Sequence, residues 1–103
     1  MSEVYEIEEI TDKLRPVFAS APVYRAILFG SYAKGLATER SDVDIVIDSR
    51  GELVNINFFG VLEDAVMALD KKVDMIEISE IREGSSILRE IREQGVILYE
   101  REG

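Results

Sequence analysis

The amino-acid sequence predicts an α/β fold: a single small domain over residues 1–103, with one mixed β-sheet flanked by helices. Three observations carry that prediction. The chain has 103 residues, enough for one domain; folding at that size buries roughly 60–70% of the unfolded surface, so one real core is possible. Stretches of 3.6-residue apolar period alternate with short apolar runs, giving helix, strand, helix, strand, helix, strand, helix, strand. Breakers fall between them: Ala21-Pro22, Gly30, Gly35, Gly51 and Gly95.

The first helix carries Val4, Ile7, Ile10, Leu14 and Val17 at helical spacing, with Glu3, Glu6, Glu9 and Asp12 elsewhere on the wheel. That acidic face reads as a solvated surface or as a docking surface. Pro16 cannot donate to the carbonyl of Asp12, so a kink or fray is expected there. The first strand runs from about Tyr24 to Phe29 and ends at Gly30-Ser31. Ser31 to Lys34 forms a short helical turn with Gly35 as its left-handed terminator. A loop, Leu36 to Ser41, leads to the second strand, Asp42 to Asp48, and Ser49-Arg50-Gly51-Glu52 is a turn.

A longer helix is predicted over about Asn57 to Asp70, with Asn55 or Asn57 as its cap. Phe59, Leu62, Val66 and Leu69 form one stripe, and Phe58, Val61 and Met67 add apolar surface off it. A helix apolar on more than one side is either sandwiched in the fold, the reading preferred here, or presents a partner surface. The third strand is Val73 to Ile78. Ser85 or Ser86 caps a last helix with Ile87, Leu88 and Ile91 inward and Arg89, Glu90, Arg92 and Glu93 outward. Gly95 ends it, Val96 to Tyr99 is the final strand, and residues 101–103 form a tail.

Composition removes whole classes of chemistry. With no cysteine, disulfides and thiolate metal sites are excluded. With no histidine, Ser-His triads, imidazole acid–base catalysis and the usual zinc ligands go as well. What remains is carboxylates, hydroxyls, Lys, Arg and a borrowed metal. Twenty-one acidic against twelve basic residues give a formal charge of −9. That balance argues against direct binding of duplex nucleic acid, whose backbone is gripped by Lys and Arg. It suits a nucleotide neutralised locally by metal, or a basic protein partner. No signal peptide or membrane span is evident, so the cytoplasm is the expected location.

The chemistry concentrates between Ala26 and Asp48. An apolar strand that stops at Gly30-Ser31 and enters a helical turn suits a phosphate: Gly30 allows close approach, Ser31 adds a hydroxyl donor, and the turn offers backbone N–H groups. Eleven residues after Ser31 comes Asp42-Val43-Asp44. Residues two apart on a strand share a face, so two carboxylates aim at one point. Paired hard oxygen ligands beside a phosphate site are what Mg²⁺ takes. Lys34 reads either as a phosphate contact or as a solvated lysine, and Arg40 as a partner of carboxylate or phosphate or as a surface arginine. Ser41 is expected to fix the strand entry. Asp48 shares the face of Asp44 but lies about 13 Å along the strand, too far for one metal cluster. Asp74, near the start of an apolar strand, is costly unless hydrogen-bonded, paired or ligating; Glu77 faces the other way.

Gly-Ser, the Asp-x-Asp that follows, and a third acid in Val73-Asp74-Met75 resemble the signature of the polymerase-β-like nucleotidyltransferases. The resemblance spans about Ile27 to Ile78 and is greatest to their smallest members, the minimal nucleotidyltransferases (MNT), many of which are antitoxins paired with a HEPN-family toxin. It implies a Mg²⁺-dependent enzyme with two metal ions, ATP as substrate, Asp42 and Asp44 bridging both ions, and Asp74 joining the ion that activates the nucleophile and accepting its proton. Gly30 and Ser31 would hold the β- and γ-phosphates, with Lys34 and Arg40 as further phosphate contacts. It also implies the acceptor: a tyrosine of a HEPN ribonuclease toxin, which makes the chain a protein adenylyltransferase. A chain this small has no room to hold an acceptor, which fits one presented by another macromolecule. The alternatives are a catalytically idle module that masks its partner by contact, and a nucleotidyltransferase acting on a small molecule. Three carboxylates packed together repel, so at least one is expected to titrate high.

Overall fold

The computed structural model describes residues 4–101. Its elements are α1 (Ile7–Ala19), β1 (Arg25–Phe29), α2 (Gly30–Ala33), β2 (Val43–Asp48), α3 (Ile56–Leu69), β3 (Val73–Glu77), a 3-10 turn (Ile78–Glu80), α4 (Ser86–Gln94) and β4 (Val96–Glu100). The strands form one mixed sheet in the order β3-β2-β1-β4. β1 pairs antiparallel with both β2 and β4, and β2 pairs parallel with β3. The parallel pair needs a crossover, which α3 supplies. No helix among the described residues is long and apolar enough to cross a membrane.

Strand alternation sorts side chains between the two faces of the sheet. Ala26, Leu28, Val43, Ile45, Ile47, Val73 and Met75 point to the face covered by α1 and α3, where they pack with Ile10, Leu14, Phe18, Val61, Ala65 and Leu69. Phe29, Val46 and Ile91 form a smaller cluster on the other face, joined by Ile27 and Ile76 and covered by α4. Residues 42, 44 and 74 belong to this second, thinly covered face, which leaves their carboxylates reachable from solvent.

Several elements depart from expectation for identifiable reasons. α1 does not fray at Pro16 but continues to Ala19. Phe18, absent from the predicted stripe, is fully buried, whereas Val4 lies before the helix and is exposed. Proline removes one helical hydrogen bond, and the last turn regains support from the Ser20 hydroxyl, which donates to the Pro16 carbonyl at 2.9 Å. Arg101 is no tail residue: its guanidinium donates to the carbonyls of Phe18, Ala19 and Ala21 at 3.3, 3.1 and 2.9 Å, capping α1. Glu3 and residues 102–103, also read above, lie outside the described residues.

The sandwiched reading of α3 is overturned. Val61, Ala65 and Leu69 face the core, while Ile56, Phe59 and Met67 are 81%, 63% and 72% exposed. Asn55 precedes the helix as expected, but its side chain makes no cap hydrogen bond. On α4, Ser85 is the cap, its hydroxyl accepting from the Leu88 N–H at 3.2 Å. Leu88 and Ile91 are buried as predicted, but Ile87 is exposed. Gly95 ends α4 in extended backbone rather than a left-handed turn. It is glycine because a Cβ there would run into the Ile91 carbonyl and the Ile27 side chain.

Candidate functional site

Three strand ends meet at one edge of the α4-covered face. β1 finishes at Phe29, whose register partner is Asp44 of β2, and Asp44 is in turn the register partner of Asp74 on β3. Register partners on neighbouring strands point to the same side, so Asp44 and Asp74 stand side by side. Asp74 is close enough to act electrostatically on Asp44. Asp42 sits just before β2, pairs with Lys72 at 3.6 Å, and is close enough to act electrostatically on Asp44.

The predicted repulsion is present at Asp44. Burial, the charge of Asp74, the charge of Asp42, the hydrogen bond with Asp74 and the charge of Glu90 together push the Asp44 carboxyl up from 3.8 to about 6. A divalent cation would relieve the repulsion from each of those charges. The donors fit Mg²⁺, being hard carboxylate oxygens. Among the described residues no group of three such side chains is drawn together tightly enough to enclose an ion by itself. An open arrangement suits a Mg²⁺ that is bound by one or two carboxylates together with substrate phosphates and water.

The turn after β1 brings backbone up to these carboxylates. Gly30 has φ +74°, and a Cβ at this position would overlap the Asp44 Oδ2. Glycine is therefore required on two counts, conformation and space. Tyr32, which no local pattern marks, has its ring buried in the main core and so anchors the turn. Ser31 lies half-buried between them, and its carbonyl accepts from the Leu36 N–H at 2.9 Å, closing the loop. Gly35, with φ +74°, terminates the turn as predicted.

The remaining predicted residues separate into those at the edge of this site and those away from it. Lys34 is at the edge, exposed, and its Nζ pairs with Glu90 Oε1 at 3.3 Å. Arg40 is exposed and makes no ion pair with Asp42, Asp44 or Asp74. Ser41 fixes the strand entry: its Oγ accepts from the Thr38 N–H at 2.9 Å. Asp48, at the far end of β2, accepts from the Arg50 N–H at 3.0 Å. Glu77 does face away, as expected; it is buried and accepts from the Ser49 N–H at 3.0 Å and from the Ser49 hydroxyl.

Glu90 is the residue that sequence reasoning misplaced. The helical pattern puts it on the outward face of α4, yet its Oε2 accepts from the Gly30 N–H at 3.0 Å while its Oε1 holds Lys34. Nothing local marks it, since Gly30 lies 60 residues away. The one available hint was its place in sequence between the two buried anchors Leu88 and Ile91.

The chain is similar to known nucleotidyltransferases. Residues 12–103 match the family model described as "Polymerase beta, Nucleotidyltransferase". The Methanocaldococcus jannaschii protein MJ0435 is 35% identical over 80 residues, covering 73% of this chain and 81% of that protein. The protein adenylyltransferase MntA of Thermococcus cleftensis is 39% identical over 67 residues, covering 62% of this chain and 67% of that one. Among solved structures, a toxin–antitoxin crystal structure with AMP-PNP superimposes with a TM-score of 0.73 at 26% identity, covering 88% of this chain and 73% of that one.

Proposed function

Because this chain belongs to the polymerase beta nucleotidyltransferase family and is therefore a nucleotidyltransferase, we propose that it transfers AMP from ATP to a tyrosine hydroxyl of a HEPN-family toxin, acting in the cytoplasm as that toxin's antitoxin. The observation that carries this reading is the register of Asp44 with Asp74 on one side and with Phe29, the residue before the Gly30 turn, on the other. That register supports a reading in which the acids and the turn serve one nucleotide. The similarity to an MntA adenylyltransferase and to a toxin–antitoxin pair crystallised with AMP-PNP supports the choice of nucleotide and of partner.

In this reading Gly30 and Ser31 hold the β- and γ-phosphates by backbone N–H and hydroxyl groups, and Lys34 contacts them from one turn further on. Arg40 is available to meet phosphate from the loop. Asp42 and Asp44 would hold two Mg²⁺ ions, and Asp74 the one nearer the acceptor. Bound there, Mg²⁺ supplies charge neutralisation on the triphosphate and a template for the in-line geometry. The tyrosine oxygen forms a bond to the α-phosphorus as the bond from that phosphorus to the β-phosphate oxygen breaks, its electron pair leaving on pyrophosphate. Asp74 takes the tyrosine proton.

The test is the intact mass of the partner toxin after incubation with this chain, ATP and Mg²⁺. An increase in units of AMP, absent with Asp44→Asn, supports the reading. An unchanged mass, with the toxin neutralised equally well by wild type and Asp44→Asn, would establish masking by contact instead.

A further inference from the structure

The two donors on the flank of the proposed phosphate turn are already engaged by one carboxylate. Glu90 spends one oxygen on the Gly30 N–H, at 3.0 Å, and the other on the Lys34 ammonium, at 3.3 Å. A backbone N–H and an ammonium shared between two oxygens of one anion is the pattern a terminal phosphate makes with such a turn. The carboxylate is also delivered from a fixed platform. α4 is capped by Ser85 and held against the sheet by Ile91, with Leu88 buried as well, so Glu90 is not a freely swinging surface side chain. Its charge bears on Asp44 as well, adding a fourth negative group to the three aspartates.

Resting on the nucleotidyltransferase reading above, we infer that Glu90 is a phosphate mimic that competes with the β- and γ-phosphates for Gly30 and Lys34, and so sets a threshold that favours nucleotides carrying a metal-loaded triphosphate. A nucleoside monophosphate gains nothing by displacing Glu90, because it has no group to put in that place. A triphosphate regains both contacts, and its Mg²⁺ offsets the crowding of acids. Glu90 is thus a specificity-determining residue that acts on phosphate number and not on the transfer step.

The experiment compares binding of AMP-PNP and of AMP, each with Mg²⁺, by calorimetric titration of wild type, Glu90→Gln, Glu90→Asp and Glu93→Gln. Glu93 is exposed on the same helix and controls for the general loss of a negative charge. An ion pair this exposed is worth at most a few-fold, and relief of repulsion with phosphate adds to that. Glu90→Gln should therefore tighten AMP-PNP by roughly three- to tenfold and leave AMP unchanged. Glu90→Asp, which withdraws the charge by one methylene, should gain less, and Glu93→Gln nothing. AMP-PNP binding that is unchanged or weaker in Glu90→Gln, while wild type still binds it, overturns the inference and leaves the nucleotide reading intact. An equal gain for AMP and AMP-PNP, or an equal gain in Glu93→Gln, also overturns it, because the effect would then be bulk charge. Failure of wild type and both Glu90 variants to bind AMP-PNP at all removes the nucleotide reading, and the inference with it.

Discussion

Replacing Asp44 with asparagine should make the metal-free protein more stable, although it removes the residue at the centre of the site. The Asp44 carboxyl is held at about 6 against an ordinary 3.8, chiefly by burial and then by Asp74 and Asp42. A folded-state value above the unfolded one means the group contributes stability below pH ~3.8, and that this contribution is lost as pH rises through about 6. At pH 7.5 the folded protein therefore carries a carboxylate that it would rather protonate. The full shift corresponds to about 3 kcal/mol. The residue is half-exposed, so solvent screening reduces this to about 1–1.5 kcal/mol. Asparagine keeps the shape and can donate to Asp74 while removing the charge. For a domain of this size the expected gain in Tm at pH 7.5 is about 4–10 °C, shrinking toward zero by pH 4. Thermal unfolding followed by far-ultraviolet circular dichroism in chelator measures it, with Asp48→Asn, at the far end of the same strand, as the control that should not gain. Equal or lower stability of Asp44→Asn at pH 7.5, or a gain that does not change with pH, would refute the reasoning. Mg-ATP should reverse the order, raising the Tm of wild type and not of the variant, since a ligand stabilises only through an intact site.

Two further substitutions test packing around the site and behind it. Gly30→Ala puts a methyl group into Asp44 Oδ2 and strains a backbone at φ +74°; a loss of about 1–3 kcal/mol in urea unfolding is expected, together with loss of AMP-PNP binding. Ser49→Ala removes a hydroxyl from the buried Glu77 carboxylate and from the Leu53 N–H, which should cost about 1–3 kcal/mol without changing nucleotide affinity, because Glu77 faces away from the aspartates.

Much of the candidate site is legible because its chemistry is written locally. A strand that breaks at Gly30-Ser31, and two acids two residues apart opening the next strand, need no long-range information. Asp74 stands out as a carboxylate in an apolar strand, although its exposure removes the burial cost which that pattern implies. Glu90 and Arg101 were not legible for the opposite reason. Each looks like a solvated residue in its own segment and acquires its role from partners 60 and 80–83 residues away. α3 failed differently. With apolar residues on two faces, periodicity fixes the helix but not its phase, and the small Ala65, not Phe59, turned out to mark the buried side. The helix runs three residues past Pro16, since proline removes only one bond, and Phe18 is buried in that last turn.

The central claim is that Asp42, Asp44 and Asp74 beside the Gly30 turn direct attack at the α-phosphorus of a nucleoside triphosphate. Incubating the protein and its partner toxin with Mg²⁺ and either α-³²P- or γ-³²P-labelled ATP tests it most directly. Transfer of the α label to the toxin, with the γ label recovered in pyrophosphate and both lost in Asp44→Asn, is the predicted result; transfer of the γ label, or undiminished α transfer by Asp44→Asn, would contradict it.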